Sequence, residues 1–150
     1  MLRRVVVLLV VLALAGVGVL PSDAAVKKKP PYKGSYTLTL YPDPTEEVLS
    51  LRGEGCQNVL PFGVDKRPFT VPGAGKLTIT LVSPDPTGKG LTDWDFTLMA
   101  PDGTAAMAGN GGSSNELATA TFKKKGTYEL QVCNLLGSTT GTVSWVFKYA

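Results

Sequence analysis

Three stretches decide how this chain folds: residues 69–81 (FTVPGAGKLTITL), 93–104 (DWDFTLMAPDGT) and 110–132 (NGGSSNELATATFKKKGTYELQV). Each alternates apolar and polar residues with a period of two, the pattern of a strand with one face in a core and one in water. Leu77, Ile79 and Leu81 share one phase, and Lys76, Thr78 and Thr80 the other. Trp94, Phe96 and Leu98 repeat the pattern, as do Tyr128, Leu130 and Val132. Turn residues punctuate the runs at Pro72-Gly73, at Ser83-Pro84-Asp85-Pro86, at Pro101-Asp102-Gly103 and in the glycine- and serine-rich loop after Gly109.

Working outward, residues 36–41 (YTLTLY) alternate cleanly and stop at Pro42-Asp43-Pro44. Residues 48–51 read as a strand, since Gly53 and Gly55 follow too soon for a long helix, and residues 56–64 as an irregular crossing. Residues 68–71, 76–82, 94–100, 104–108, 117–122, 127–133 and 142–149 supply the other strands. No stretch after Ala25 keeps a helical period over three turns. The expected fold is all-β, a jelly-roll-like antiparallel β-sandwich of about eight strands. Its inward residues are Leu38, Leu40, Leu77, Ile79, Leu81, Trp94, Phe96, Leu98, Tyr128, Leu130, Val132, Val143, Trp145 and Phe147. Both tryptophans lie on the apolar phase, which reads as core rather than as an exposed carbohydrate platform.

The order of the pieces resembles the bacterial pre-peptidase C-terminal domain, a small β-sandwich often appended to secreted proteases. The resemblance is carried by the TVPGAGKLTITL strand, the DWDFTL strand closed by a PDG turn, the Gly/Ser/Asn-rich loop and the GTYELQV strand. It covers about half of the chain, and most of the mature part if residues 142–149 close the sandwich. In that family the module is an appendage of an enzyme, and here the expectation is a freestanding copy.

The first residues read as an export signal. Arg3 and Arg4 precede an apolar core from Val5 to Val19, and small residues lead to a cleavage point after Ala24. That core is short against the ~20 residues of a membrane span, so the mature form is expected to be secreted and without a membrane segment; an uncleaved anchor is the other reading. Residues 25–34 form a basic, proline-rich leader and residues 35–150 one domain. Cys56 and Cys133 are the two cysteines. An exported compartment favours a disulfide between them over two separate buried thiols. Closing a loop of about 77 residues is worth roughly 4 kcal/mol in the chain-entropy account.

Charge and chemistry narrow the function. The formal charge is +3, which argues against nucleic acid as a partner. Lys27–Lys29 and Lys123–Lys125 read as solvated clusters, with an anionic cell-surface partner as the sharper alternative. The chain contains no histidine, so it has no Ser-His-Asp or Cys-His couple and no His-ligated zinc. No nucleophile elbow or phosphate-binding loop is present, and an enzyme is not expected. The remaining candidate is a calcium site at Asp93 and Asp95, which flank Trp94, with Asp85 from the preceding loop and Asn110, Asn115 or Glu116 from the later one. The plainer reading makes Asp93 and Asp95 solvated strand residues, with no cofactor. The expected function is a monomeric, secreted, non-catalytic binding or adhesion module for an extracellular protein or polysaccharide. A protease-associated partner or inhibitor is the alternative.

Overall fold

The computed structural model describes residues 29–42, 56 and 63–150. Eight strands run through them: β1 (Tyr32–Thr39), β2 (Val64–Val71), β3 (Gly75–Val82), β4 (Asp93–Met99), β5 (Ala105–Gly109), β6 (Asn115–Phe122), β7 (Gly126–Leu136) and β8 (Thr140–Tyr149). They form two four-stranded antiparallel sheets, of order β1-β8-β3-β6 and β2-β7-β4-β5. This is the jelly-roll order expected from the alternation, in which successive strands cross from one sheet to the other, except at the β4–β5 hairpin. The hairpin is closed by the Pro101-Asp102-Gly103 turn, where the Gly103 amide donates to the Ala100 carbonyl at 3.0 Å. The strand read at residues 48–51 lies outside the described residues.

The core contains the residues that periodicity names, joined by Phe69, Val71, Met107 and Phe122, which it does not name. Leu77, Ile79, Leu81, Trp94, Phe96, Leu98, Val132, Val143 and Phe147 are fully buried between the sheets, and Leu38, Leu40 and Leu130 nearly so. Tyr128 and Trp145 are half-buried against the same cluster. The Trp145 ring packs edge-on to Phe69, with centroids 5.5 Å apart, and tilts against Tyr32 and Tyr36. The Trp94 indole N–H donates to the Ser138 carbonyl at 2.9 Å, which satisfies its polar atom inside the core.

Three boundaries move by three residues or more. β2 starts at Val64 rather than Pro68, at the end of the stretch read as an irregular crossing, because Val64, Asp65, Lys66 and Arg67 pair with Cys133, Val132, Gln131 and Leu130 of β7. β1 starts at Tyr32, inside the stretch read as leader, because Tyr32, Lys33 and Gly34 pair with Phe147, Val146 and Trp145 of β8. Gly34 is what makes room, since a side chain there would run into the Trp145 ring. β7 extends to Leu136 rather than stopping at Cys133, because β4 pairs with it as far as Asp93↔Leu136 through a bulge between Asp93 and Trp94.

Cys56 and Cys133 form the disulfide, with Cα atoms 5.4 Å apart. Cys133 pairs with Val64 on one side and Asp95 on the other, so the bridge lies on the outer face of the β2-β7-β4-β5 sheet. There Cys56, Cys133 and Leu135 form a second small apolar cluster with Val64.

Candidate functional site

β4 is a central strand, and its outer face is covered. Asp93, Asp95 and Thr97 occupy the phase opposite Trp94, Phe96 and Leu98, as the period of two requires. They are not solvated strand residues: Asp93 is 3 % exposed and Asp95 2 %. Cys56, held by its disulfide, lies against the Asp95 backbone, its Sγ 3.6 Å from the Asp95 carbonyl. No local pattern records this cover, because it arrives from a cysteine 39 positions away.

The loop between β5 and β6 encloses the start of β4. The Trp94 amide donates to the Ser113 carbonyl at 3.2 Å, and the Ser83 amide to that of Ser114 at 2.7 Å. Glu116 opens β6 opposite Leu81 and points between the sheets, where it is 6 % exposed. The Ser113 amide and hydroxyl donate to one Glu116 oxygen at 3.3 and 2.9 Å. Gly111 and Gly112 let this loop close over the carboxylates. A side chain at Gly111 would stand 3.0 Å from Glu116, and Gly112 takes a left-handed φ of 70° beside Asp93.

Asp95, Asp93 and Glu116 are therefore electrostatic neighbours. Burial pushes the Asp95 carboxyl up to about 7, and the charges of Asp93 and Glu116 add to the rise. One Asp95 oxygen is buried without a hydrogen-bond partner among the described residues. Glu116 is the member that alternation alone ranks below Asp93 and Asp95, yet it is the one the fold brings in from the other sheet.

Asp85 sits elsewhere in its chemistry. Its carboxylate accepts from the Thr87 amide and hydroxyl at 3.2 and 2.8 Å and from the Gly90 amide at 2.7 Å. These bonds hold its pKa below the usual carboxylate value and brace the 84–91 loop. Among the described residues, no three His, Cys, Asp or Glu side chains are grouped so as to hold a metal ion by themselves. A cation at Asp93 and Asp95 would thus draw further oxygens from the 110–114 loop. At the other end, an open groove of about 530 Å³ runs between Met99, Pro101, Tyr128 and Gln131, and its one carboxylate, Glu129, accepts from Gln131 at 2.7 Å.

Among solved structures, the chain is similar to a domain of a collagenase from Bacillus anthracis. That domain is a pre-peptidase C-terminal domain. The two share 16 % sequence identity over 79 % of this chain and 89 % of that one, with a TM-score of 0.46. It is the family that residues 69–132 resemble. No protein-family profile matches the sequence, and no curated protein matches it significantly. Among the described residues no helix is long and apolar enough to cross a membrane.

Proposed function

We propose that this chain is an exported, non-catalytic binding module resembling a pre-peptidase C-terminal domain, whose β4 entrance is ordered by a hard cation such as calcium. The observation that supports it is the Asp95 carboxylate, buried beside two further acids with one oxygen unpartnered. A carboxylate in such a place either keeps its proton or meets a cation. Asp93 and Asp95 are the residues that would hold the ion, with further oxygens from the 110–114 loop, and bound calcium would offset their charge and that of nearby Glu116. The disulfide and the apolar export signal are consistent with an extracellular setting.

The test is a thermal melt of the full chain with calcium and with chelator. A ligand that binds only the folded state stabilises it by about 2.7 kcal/mol at a hundredfold excess over Kd. The expected result is a rise in Tm with calcium that disappears in Asp93→Asn with Asp95→Asn. An identical melt in both conditions overturns the cation and leaves a disulfide-held scaffold.

The protease-associated reading draws on a different feature. The 84–91 loop is braced by Asp85 and ends on Leu91, which is 51 % exposed, the form of a rigid loop offered to a protein groove. Inhibition of a protease panel that falls on Leu91→Ala would select it.

A further inference from the structure

The two ends of the sandwich differ in charge, and the register shows it. On the outer face of the β1-β8-β3-β6 sheet, Lys148 of β8 stands directly opposite Lys76 of β3. Lys33 of β1 is opposite Val146, one diagonal step from Lys148. Thr121 of β6 is opposite Lys76, and the chain continues beyond it into Lys123, Lys124 and Lys125. Lys29 completes the group, its ammonium over the Tyr149 ring at 4.0 Å. All these lysines are exposed, and none forms an ion pair among the described residues.

Directly opposed residues in a sheet have Cβ atoms about 4.5–5.5 Å apart, and like charges so placed destabilise it. Nothing nearby compensates. The four strands of this sheet carry a single acid, Glu116, and it faces inward at the far end. On the other sheet at the lysine end, Asp102 accepts from the Thr104 amide and hydroxyl at 3.0 and 2.7 Å, and Glu129 from Gln131. The rest of the face is mostly hydroxyls, with Val82, Leu117 and Val146 exposed among them. Thr37 faces Thr142, Ser35 faces Ser144, and Thr78 faces Thr119, with the Thr37–Thr142 and Thr78–Thr119 hydroxyls each 3.0 Å apart.

We propose that this lysine band and the hydroxyl face beside it form a docking surface for an anionic polysaccharide. Charge complementarity selects an anionic partner, and the strand spacing gives ammonium groups repeated along a line rather than one pocket. The neighbouring threonines and serines suit a sugar chain. The band has no arginine, its neighbouring rings Tyr32 and Tyr149 are engaged by Trp145 and Lys29, and no apolar side chain tips its Lys123–Lys125 turn for insertion into a lipid layer. The proposal rests on the binding-module reading but is independent of the cation at Asp95.

The experiment is binding of the full chain to polygalacturonate and dextran sulfate, with neutral dextran, duplex DNA and vesicles rich in phosphatidylglycerol as comparisons. Both anionic polysaccharides should bind, neutral dextran should not, and affinity should fall as salt rises. Lys76→Gln with Lys148→Gln should weaken binding by about tenfold and lower the salt slope by roughly two. Lys66→Gln with Lys89→Gln, which lie away from the band, should change neither. Equal binding by the Lys76/Lys148 variant, or tighter binding of DNA or vesicles than of polysaccharide, overturns the site. Binding of neutral dextran as tight as that of the anionic polysaccharides would sink this surface while sparing the binding-module reading. A chain that binds none of the five probes overturns the surface outright, and the calcium melt then judges the module separately.

Discussion

Asp95 concentrates the residue-scale consequences. Its carboxyl titrates near 7 in the folded chain because burial and two neighbouring acids disfavour its charge, against a usual value of 3.8. The folded state therefore holds a proton that the unfolded state has released, and stability falls as pH rises from about 4 through 7. At ~1.4 kcal/mol per unit, the loss is on the order of a few kcal/mol by neutral pH in the absence of a compensating ion. Urea titrations in chelator at pH 5 and pH 8 should give the higher midpoint at pH 5. Asp95→Asn should flatten the difference and raise the midpoint at pH 8. Trp94 gives a second check. With its indole buried and bonded to Ser138, its fluorescence should resist quenching by iodide in the folded chain and lose that protection in urea.

Among the elements, β3 and β8 carry a testable conflict. Lys76→Glu turns a like-charge pair across the two strands into an opposite-charge pair, and should stabilise the chain by about 0.2–1 kcal/mol in low salt, read as a rise in the urea midpoint. If the band serves an anionic ligand, the same change should cost binding. The elements also show what could be read in advance. Strands such as β3, with Leu77, Ile79 and Leu81 inward and threonines outward, are legible because one face is wet and the period of two is undisturbed. β4 is buried on both faces, and its two aspartates kept the polar half of the alternation while losing the solvent that normally explains it. The cover over Asp95 and the arrival of Glu116 depend on long-range pairing, which no local period records. The lysine band escaped for the same reason: Lys33, Lys76 and Lys148 are scattered along the chain and meet through register alone.

For the whole molecule, the disulfide ties Cys56 to the middle of one sheet and places it over the Asp95 backbone. Reduction should lower stability by about 2–5 kcal/mol, visible as a lower Tm with reductant. It should also let water reach Asp95 and shrink the pH dependence, a coupling that a plain loss of cross-link entropy would not produce. A further consequence follows from strand order. β8, the last strand, lies between β1 and β3 in the interior of its sheet, and β7 lies between β2 and β4 in the other. Until these two strands are in place, β3 can pair only with β6 and β4 only with β5, while β1 and β2 have no neighbour in their sheets at all. Neither layer can close one strand at a time from its beginning, so the early strands must wait for late ones and the two sheets should form together in a single cooperative step.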